Sequence, residues 1–490
     1  MGISLATIRA HLWRTRKALR QQLALYNHDV SRPYLPRASG HHKSRSVGRG
    51  AHYELPFLSA GLADSGTVRR SAARWQRMSR NCGFSLLIVL AACSDAEPSS
   101  APAASVTDSA GIRAVRNAPA DRLYAELVEA PILSIGEFSG PSELLFGRVA
   151  SVSRDQAGNI IVADAQAFEV RVFDPQGQHV LSFGQEGGGP GDFQSLDAVW
   201  PLEDGSLLAV DDRLDRISRF DMNGRLIETA TLENNVELSA NVFRPGGPGM
   251  VLSYANPPPS FESVADIDFT SADDFTSLLF AGEANRRVLF VRHSLDGSLV
   301  DTVAEGKQAG IASVPTGSGG SSLFPVPFSS ESAMAISTHG IAFVVGAAFE
   351  VQILDPDGTP HTIARIDEHP PARTDELLEE FVRGSRPNAS DATLANEIER
   401  RRAITLPDSL PGYVDVLLGL NGESWAKRFT MPGADSVRWD VFRPDGMYVG
   451  RVMLPASFQL WQVGHEDVLG VARDEYGVER VLVVGVRYRR

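Results

Sequence analysis

The sequence predicts an all-β fold in which a short four-stranded antiparallel unit repeats along the chain and is closed into a ring by the two ends of the folded body. Three observations carry this expectation. First, Leu133-Ser134-Ile135-Gly136 recurs 48 residues later as Leu181-Ser182-Phe183-Gly184, and each copy is followed by a Gly/Pro-containing loop, Gly140-Pro141 to Phe146 and Gly189-Pro190-Gly191-Asp192-Phe193. Second, the chain between such loops runs in short β-branched or alternating stretches broken by Asp, Asn, Gly and Pro, which is the chemistry of hairpins. Third, the last unit lacks its fourth strand, and a spare strand stands ahead of the first unit.

Taken in order, residues 1–77 of the 490 are rich in Arg, Ser, Gly and His and show no sustained amphipathic pattern beyond a basic stretch around Leu5 to Leu25. They read as a basic extension that results from a start assigned too far upstream; the other reading is a basic arm for nucleic acid or an anionic membrane surface. Residues 78–92 read as a second start, with Met78, a basic Arg80 and an apolar run from Phe84 to Ala92. That run has the length of a signal-peptide core and is too short to span a bilayer. It ends in Leu90-Ala91-Ala92-Cys93, which resembles the bacterial lipobox. The resemblance implies cleavage before Cys93 and attachment of lipid to its thiol. Cys82, the other of the two cysteines, is then lost with the leader, and a body without thiols suits an oxidising periplasm. Ser94, where Asp would favour retention in the inner membrane, points to the outer membrane. Residues 93–111 are rich in Ser, Ala, Pro and Asp and read as a flexible tether.

The body runs from 112 to 490. Ile112 to Arg116 reads either as an extra outer strand or as a segment along the rim, and Pro131 to Gly136 is the spare strand. The first full unit comprises Val149 to Ser153, the turn Arg154-Asp155-Gln156-Ala157-Gly158, Ile160 to Asp164, Val170 to Phe173, the turn Asp174-Pro175-Gln176-Gly177, and His179 to Phe183. Copies of its last turn mark further units at Asp221-Met222-Asn223-Gly224, Leu295-Asp296-Gly297, Asp355-Pro356-Asp357-Gly358 and Pro444-Asp445-Gly446. The sixth unit has three strands, Phe458 to Gly464, Val468 to Arg473 and Val478 to Val484. Pairing Pro131 to Gly136 with the strand around Val481 completes it and removes both open sheet edges.

A four-stranded meander with a period in the forties is the blade of a β-propeller. The expected fold is therefore a six-bladed β-propeller with four-stranded antiparallel blades, N- and C-terminal strands closing one blade, and a small helical insertion. Insertions interrupt the repeat at 257–286 and 367–411. In the second, Asp375 to Val382 carries Leu377, Leu378, Phe381 and Val382 with Thr374 as N-cap, Gly384 to Pro387 breaks the helix, and Ser390 caps a further stretch from Asp391 to Ile404. These helices are expected to stand over one face as a cap on a binding site, and to be removable with ring stability nearly intact; the other reading is a decoration of the outer rim. The loop Gly184 to Phe193, the strand Ile160 to Asp164 and the turn Phe173-Asp174-Pro175-Gln176-Gly177 resemble those of NHL-type six-bladed propellers of the TolB-like group. The resemblance extends over 112–490, closely in the first two units and by turn and strand spacing beyond them.

Charge excludes one class of ligand. Of the 47 Lys and Arg and the 60 Asp and Glu, residues 1–92 hold 15 and 3, which leaves 32 against 57 and a net charge of −25 on the remainder. Such a body repels phosphate backbones, so no nucleic-acid partner is expected for it. The six histidines after Cys93, at 179, 293, 339, 361, 369 and 465, form no metal-ligand spacing, and no metal or cofactor is expected. Asp164, Asp211, Asp212 and Asp474 each follow a second strand. Such carboxylates either converge on the channel and hold a divalent ion or cap the next turn through backbone N–H groups, and the second use is the commoner one. Arg148, Arg171 and Arg216 stand on or beside apolar strands, placed either to pair with Asp between blades or to hold a carboxylate ligand at the channel mouth. The resemblance to propellers leaves the function open, since that fold hosts both enzymes and binding modules. The reading taken here is a monomeric, lipid-anchored binding or scaffold module for a protein, peptide or glycan. The alternative is a lyase, lactonase or sugar dehydrogenase with a divalent ion or quinone at the central channel.

Overall fold

The computed structural model describes residues 104–233, 239–256, 285–315 and 321–489. The basic extension, the leader with Cys93, the first part of the tether and nearly all of the insertion at 257–286 lie outside the described residues. The described chain opens with a hairpin, β1 (Ala104–Ser109) and β2 (Ile112–Asn117), followed by β3 (Leu123–Leu127) and β4 (Leu133–Ile135). The segment read as tether thus enters a sheet from Ala104 onwards, because Ile112–Asn117 offers it an antiparallel partner across the short turn at Ala110-Gly111.

Blade 1 is β5 (Val149–Arg154), β6 (Ile160–Asp164), β7 (Glu169–Phe173) and β8 (His179–Phe183). Blade 2 is β9 (Leu196–Pro201), β10 (Leu207–Asp211), β11 (Arg216–Phe220) and β12 (Leu226–Thr231). Blade 3 is β13 (Ser239–Pro245), β14 (Met250–Asn256), β15 (Asn285–Ser294) and β16 (Leu299–Ala309). A hairpin of β17 (Ile311–Pro315) and β18 (Ser321–Pro325) leads into blade 4, which is β19 (Ala333–Ser337), β20 (Gly340–Val344), β21 (Glu350–Leu354) and β22 (Pro360–Ile366). Two helices, α1 (Asp375–Ser385) and α2 (Asp391–Arg402), separate it from blade 5, which is β23 (Tyr413–Leu418), β24 (Ser424–Arg428), β25 (Ser436–Phe442) and β26 (Tyr448–Pro455). Blade 6 is β27 (Phe458–Val463), β28 (Asp467–Arg473), β29 (Glu479–Tyr488) and, from the other end of the chain, β4.

The chain is a six-bladed propeller. Each first strand lies beside the first strand of the next blade, and β27 of blade 6 lies beside β5 of blade 1. Apolar clusters fill every junction between blades, and the one that closes the ring joins Leu469, Val471, Val481 and Val483 to Ile135, Val149, Ile160 and Phe173. Each such side chain, taken out of water, contributes about 1.5–3 kcal/mol, so the junctions are where the ring is held together. The closing strand pairs as expected from the sequence, Ile135 with Val481, Ser134 with Leu482 and Leu133 with Val483.

The repeated glycine at the end of the Leu-Ser-x-Gly motif has a backbone reason. Gly136 and Gly184 have φ of 118° and 95°, and a Cβ on either would lie 2.6 Å from a neighbour, the Glu479 carbonyl or the Phe193 ring. The N-terminal segment also straps the outside of the ring. β2 adds in parallel to β22 of blade 4, and β3 adds in parallel to β26 of blade 5 and antiparallel to the end of β29. Ile112 to Arg116 is therefore an outer strand, and the segment crosses blades 4, 5 and 6 in turn.

The upper face is the side from which the chain passes into each first strand; the turns between second and third strands lie there too. The hairpin β17–β18 and both helices emerge on that face. Thr374 and Ser390 cap the helices by accepting the N–H of Leu377 and of Thr393. α1 ends at Ser385 with Arg386 as its C-cap, inside the Gly384 to Pro387 segment expected to break it, and a Cβ on Gly384 would meet the Pro432 carbonyl at 2.0 Å, which marks a close approach of the helix to blade 5. Leu378, with Leu377 and Phe381, packs against Phe328, Leu410, Phe429 and Met431, and the Arg401 guanidinium lies 5.6 Å from the Phe324 ring of β18. The insertion is thus seated on the loops of blades 4 and 5 as part of the folded core.

Candidate functional site

Three of the four carboxylates singled out in the sequence cap turns and strand starts. Asp164, with no exposed surface, accepts the N–H groups of Gly147 and Arg148 at the start of its blade, and those of Gln166 and Ala167 in the turn after it. Arg171 lies 3.3 Å from this carboxylate and donates to the carbonyls of Ser142, Glu143 and Leu145. Blade 2 repeats the device. Asp211 accepts from Gln194, Ser195, Arg213 and Leu214, while Arg216 donates to the carbonyls of Gly188, Gly189 and Asp192. In both blades the Asp fixes the start of the first strand and the Arg pins the loop that leads into it. Asp474 accepts the N–H groups of Tyr476 and Val478 in the turn between β28 and β29.

Asp212 and Arg148 are brought together at the upper mouth. Burial pushes the Asp212 carboxyl up, against the pull of the Ser195 hydroxyl and of the Arg148 and Arg213 guanidiniums.

A second group, not singled out in the sequence, lies on the axis itself. Arg244 stands on β13 of blade 3 and Asp415 on β23 of blade 5, two first strands with blade 4 between them, so they can meet only across the central channel. Their side chains meet at 3.4 Å, Nη2 to Oδ1, and are 30% and 27% exposed. Asp415 also accepts the Val416 N–H and stands opposite Lys427 in the β23–β24 ladder. Burial opposes the Arg244 charge, but Asp415, Tyr254 and Asp197 together hold its pKa above the ordinary arginine value. Burial lowers the pKa of the half-buried Lys427, with Asp415 opposing and Arg244 reinforcing the shift. Tyr254 is fixed by its hydroxyl, which donates to the Met334 carbonyl and accepts the Met334 N–H.

The sequence carried one faint signal of this group. Arg244 and Asp415 are single charges within strands of otherwise apolar or neutral residues, and Lys427 stands beside Arg428 at the end of β24. What it did not carry was their meeting, since Arg244 and Asp415 are 171 residues apart.

Of the axial group, Lys427 stands nearest the upper face, near the end of β24. Lys427 is two residues before Phe429, which packs under α1. Beside the mouth, Glu331 precedes β19, and burial pushes its carboxyl up to about 7 against the pull of Arg286. Among the described residues no group of three or more His, Cys, Asp or Glu is placed to hold a metal ion. The chemistry these residues offer is recognition of a polar or charged group in the central channel.

Comparison with known proteins bears on the fold. A family model described as a 6-bladed beta-propeller (DUF5128) matches residues 139–244. No curated protein matches the chain. Among solved structures, a member of the DUF4221 family from Bacteroides vulgatus aligns over 75% of this chain and 99% of its own, at 9% identity and a TM-score of 0.41. A PQQ-bound aldose sugar dehydrogenase from Streptomyces coelicolor aligns over 76% and 100%, at 11% identity and a TM-score of 0.36. Virginiamycin B lyase from Staphylococcus aureus aligns over 68% and 93%, at 12% identity and a TM-score of 0.33.

Proposed function

We propose that the protein is an NHL-type, TolB-like propeller carried to the cell envelope as a lipoprotein anchored through Cys93, and that it binds a protein, peptide or glycan on its upper face. One observation carries the assignment of the face. The helices and the hairpin both grow on the upper face, and the helices are fixed there by the cluster around Leu378, Phe328 and Phe429. A ring needs only a few residues between blades, so a packed superstructure on one mouth is what recognition asks for. The acidic body favours neutral or cationic surfaces on a macromolecular partner.

Photo-crosslinking in intact envelopes tests this. A crosslinker at Glu380, on the exposed side of α1, is expected to trap one discrete partner, and one at Val180, on the outer edge of blade 1, is not. Equal trapping at both positions, or none at Glu380, overturns the reading. Cys93→Ser is expected to release the body from the membrane fraction or stall its processing. A stoichiometric divalent ion in the purified protein would instead favour an enzyme with its centre in the channel.

A further inference from the structure

We propose that the upper mouth of the channel is a carboxylate-binding site, in which one ligand carboxylate is held between the guanidinium of Arg244 and the ammonium of Lys427. This rests on the reading of the capped face as the binding face and names the chemistry that the face recognises.

The argument starts from donors that the protein leaves unspent. Among the described residues Arg244 makes one ion pair, at 3.4 Å to Asp415, and lies beside the Tyr254 hydroxyl, while its Nε is buried without a hydrogen-bond partner. Lys427 brings a second cation to the same place, and among the described residues its ammonium takes part in no salt bridge. A buried donor without an acceptor is unfavourable, and a guanidinium edge together with an ammonium presents N–H groups to both oxygens of a planar anion.

Asp415 and Asp197 limit what anion can enter. Both lie close enough to act on Arg244, so a phosphate dianion would meet two like charges where a carboxylate brings only one of its own. The walls select further, because Arg244 and Asp415 stand on innermost strands and meet across the channel. The carboxylate therefore belongs to a small acid or to the end of a chain, and a carboxylate in the middle of a folded surface cannot reach it.

The test uses the folded protein with four probes in calorimetric titration: acetate, N-acetylglycylglycine, the amide of that dipeptide, and inorganic phosphate. Saturable one-to-one binding of the two carboxylates is expected, with no binding of the amide and phosphate at least about tenfold weaker. Tighter binding of the dipeptide than of acetate identifies a chain end as the source; equal affinity identifies a free acid. Lys427→Gln is expected to weaken binding by about tenfold or more, and Lys427→Arg, which keeps the charge, by no more than about threefold. Arg244→Lys serves as a second variant, since removing the cross-channel charge altogether can disturb the fold. An independent readout is the Lys427 ammonium pKa followed by NMR, which should rise when the dipeptide saturates the site.

Absence of saturable binding of either carboxylate, phosphate binding as tight as theirs, or unchanged affinity in folded Lys427→Gln overturns the proposal. Crosslinking at Glu380 reports separately on the capped face, so failure of the carboxylate assignment is distinguishable from failure of the binding reading.

Discussion

A single buried carboxylate decides how each of the first two blades begins. Asp164 takes four backbone N–H groups and stands beside Arg171, so Asp164→Ala leaves those donors without an acceptor and takes one carboxylate partner from a buried guanidinium. Breaking a buried pair from one side costs about 3–5 kcal/mol, and chemical denaturation of the variant should show a loss of that order. Asn117 has a comparable role between blades 4 and 5. Its amide donates to the carbonyls of Arg365 and Gly446 and accepts the Tyr448 N–H, and Asn117→Ala should cost about 1–3 kcal/mol. Glu331 gives the residue-level pH dependence. Its folded pKa of about 7 lies above the ordinary value of 4.5, so the folded state binds the extra proton between them. The stability contributed by that proton is complete below about pH 4.5 and is lost as pH rises through about 7. Melting temperatures of Glu331→Gln across this window should fall less with pH than those of the wild type; parallel curves would show that Glu331 does not titrate there.

At the scale of elements, what was legible depended on whether the signal was local. The caps at Thr374 and Ser390 were readable because capping is a matter of three or four residues, and both helices begin where those residues stand. The strap was less readable. Ile112 to Arg116 adds in parallel to β22, a pairing with no hairpin turn to announce it, whereas Leu133 to Gly136 betrayed its place by repeating Leu181 to Gly184 down to the glycine that φ requires. The axial group was illegible for the same reason in stronger form, since its members share a site only once blades 3 and 5 face each other across a closed ring. The sequence also suggested that the helices could be cut away at little cost, but the packing of Leu378 on Phe328, Leu410 and Phe429 argues otherwise. Replacing residues 373–403 by a short Gly/Ser bridge should keep the strand signal in circular dichroism, because the first strands meet without the helices. The melting temperature should nevertheless fall by several degrees, since each large apolar side chain uncovered costs about 1.5–3 kcal/mol. An unchanged melting temperature would mean that the cap contributes nothing to the ring.

For the whole molecule the decisive event is the return of the N-terminal segment to the C-terminal blade. Without β4, the outer edge of β29 is open and the apolar cluster of Ile135 with Val481 and Val483 loses one wall, at the junction that joins the last blade to the first. Without β1 and β2, by contrast, only the outer edge of blade 4 is uncovered, and the ring stays closed. Two truncations separate these consequences. Starting the chain at residue 119 removes the hairpin together with Asn117, and should give a monomer with intact strand content, modestly destabilised through the loss of outer pairing. Starting it at 139 removes β3 and β4 as well. That protein should lose stability throughout the ring, because every blade depends on its two neighbours, and should self-associate through the edge of β29, since an unpaired strand edge templates further pairing. Sedimentation velocity and thermal melts on both proteins make the comparison. If the chain beginning at 139 remains monomeric and melts with the one beginning at 119, β4 is an ornament on a ring closed by the inner strands alone. If the two differ as described, the closing strand holds the propeller shut.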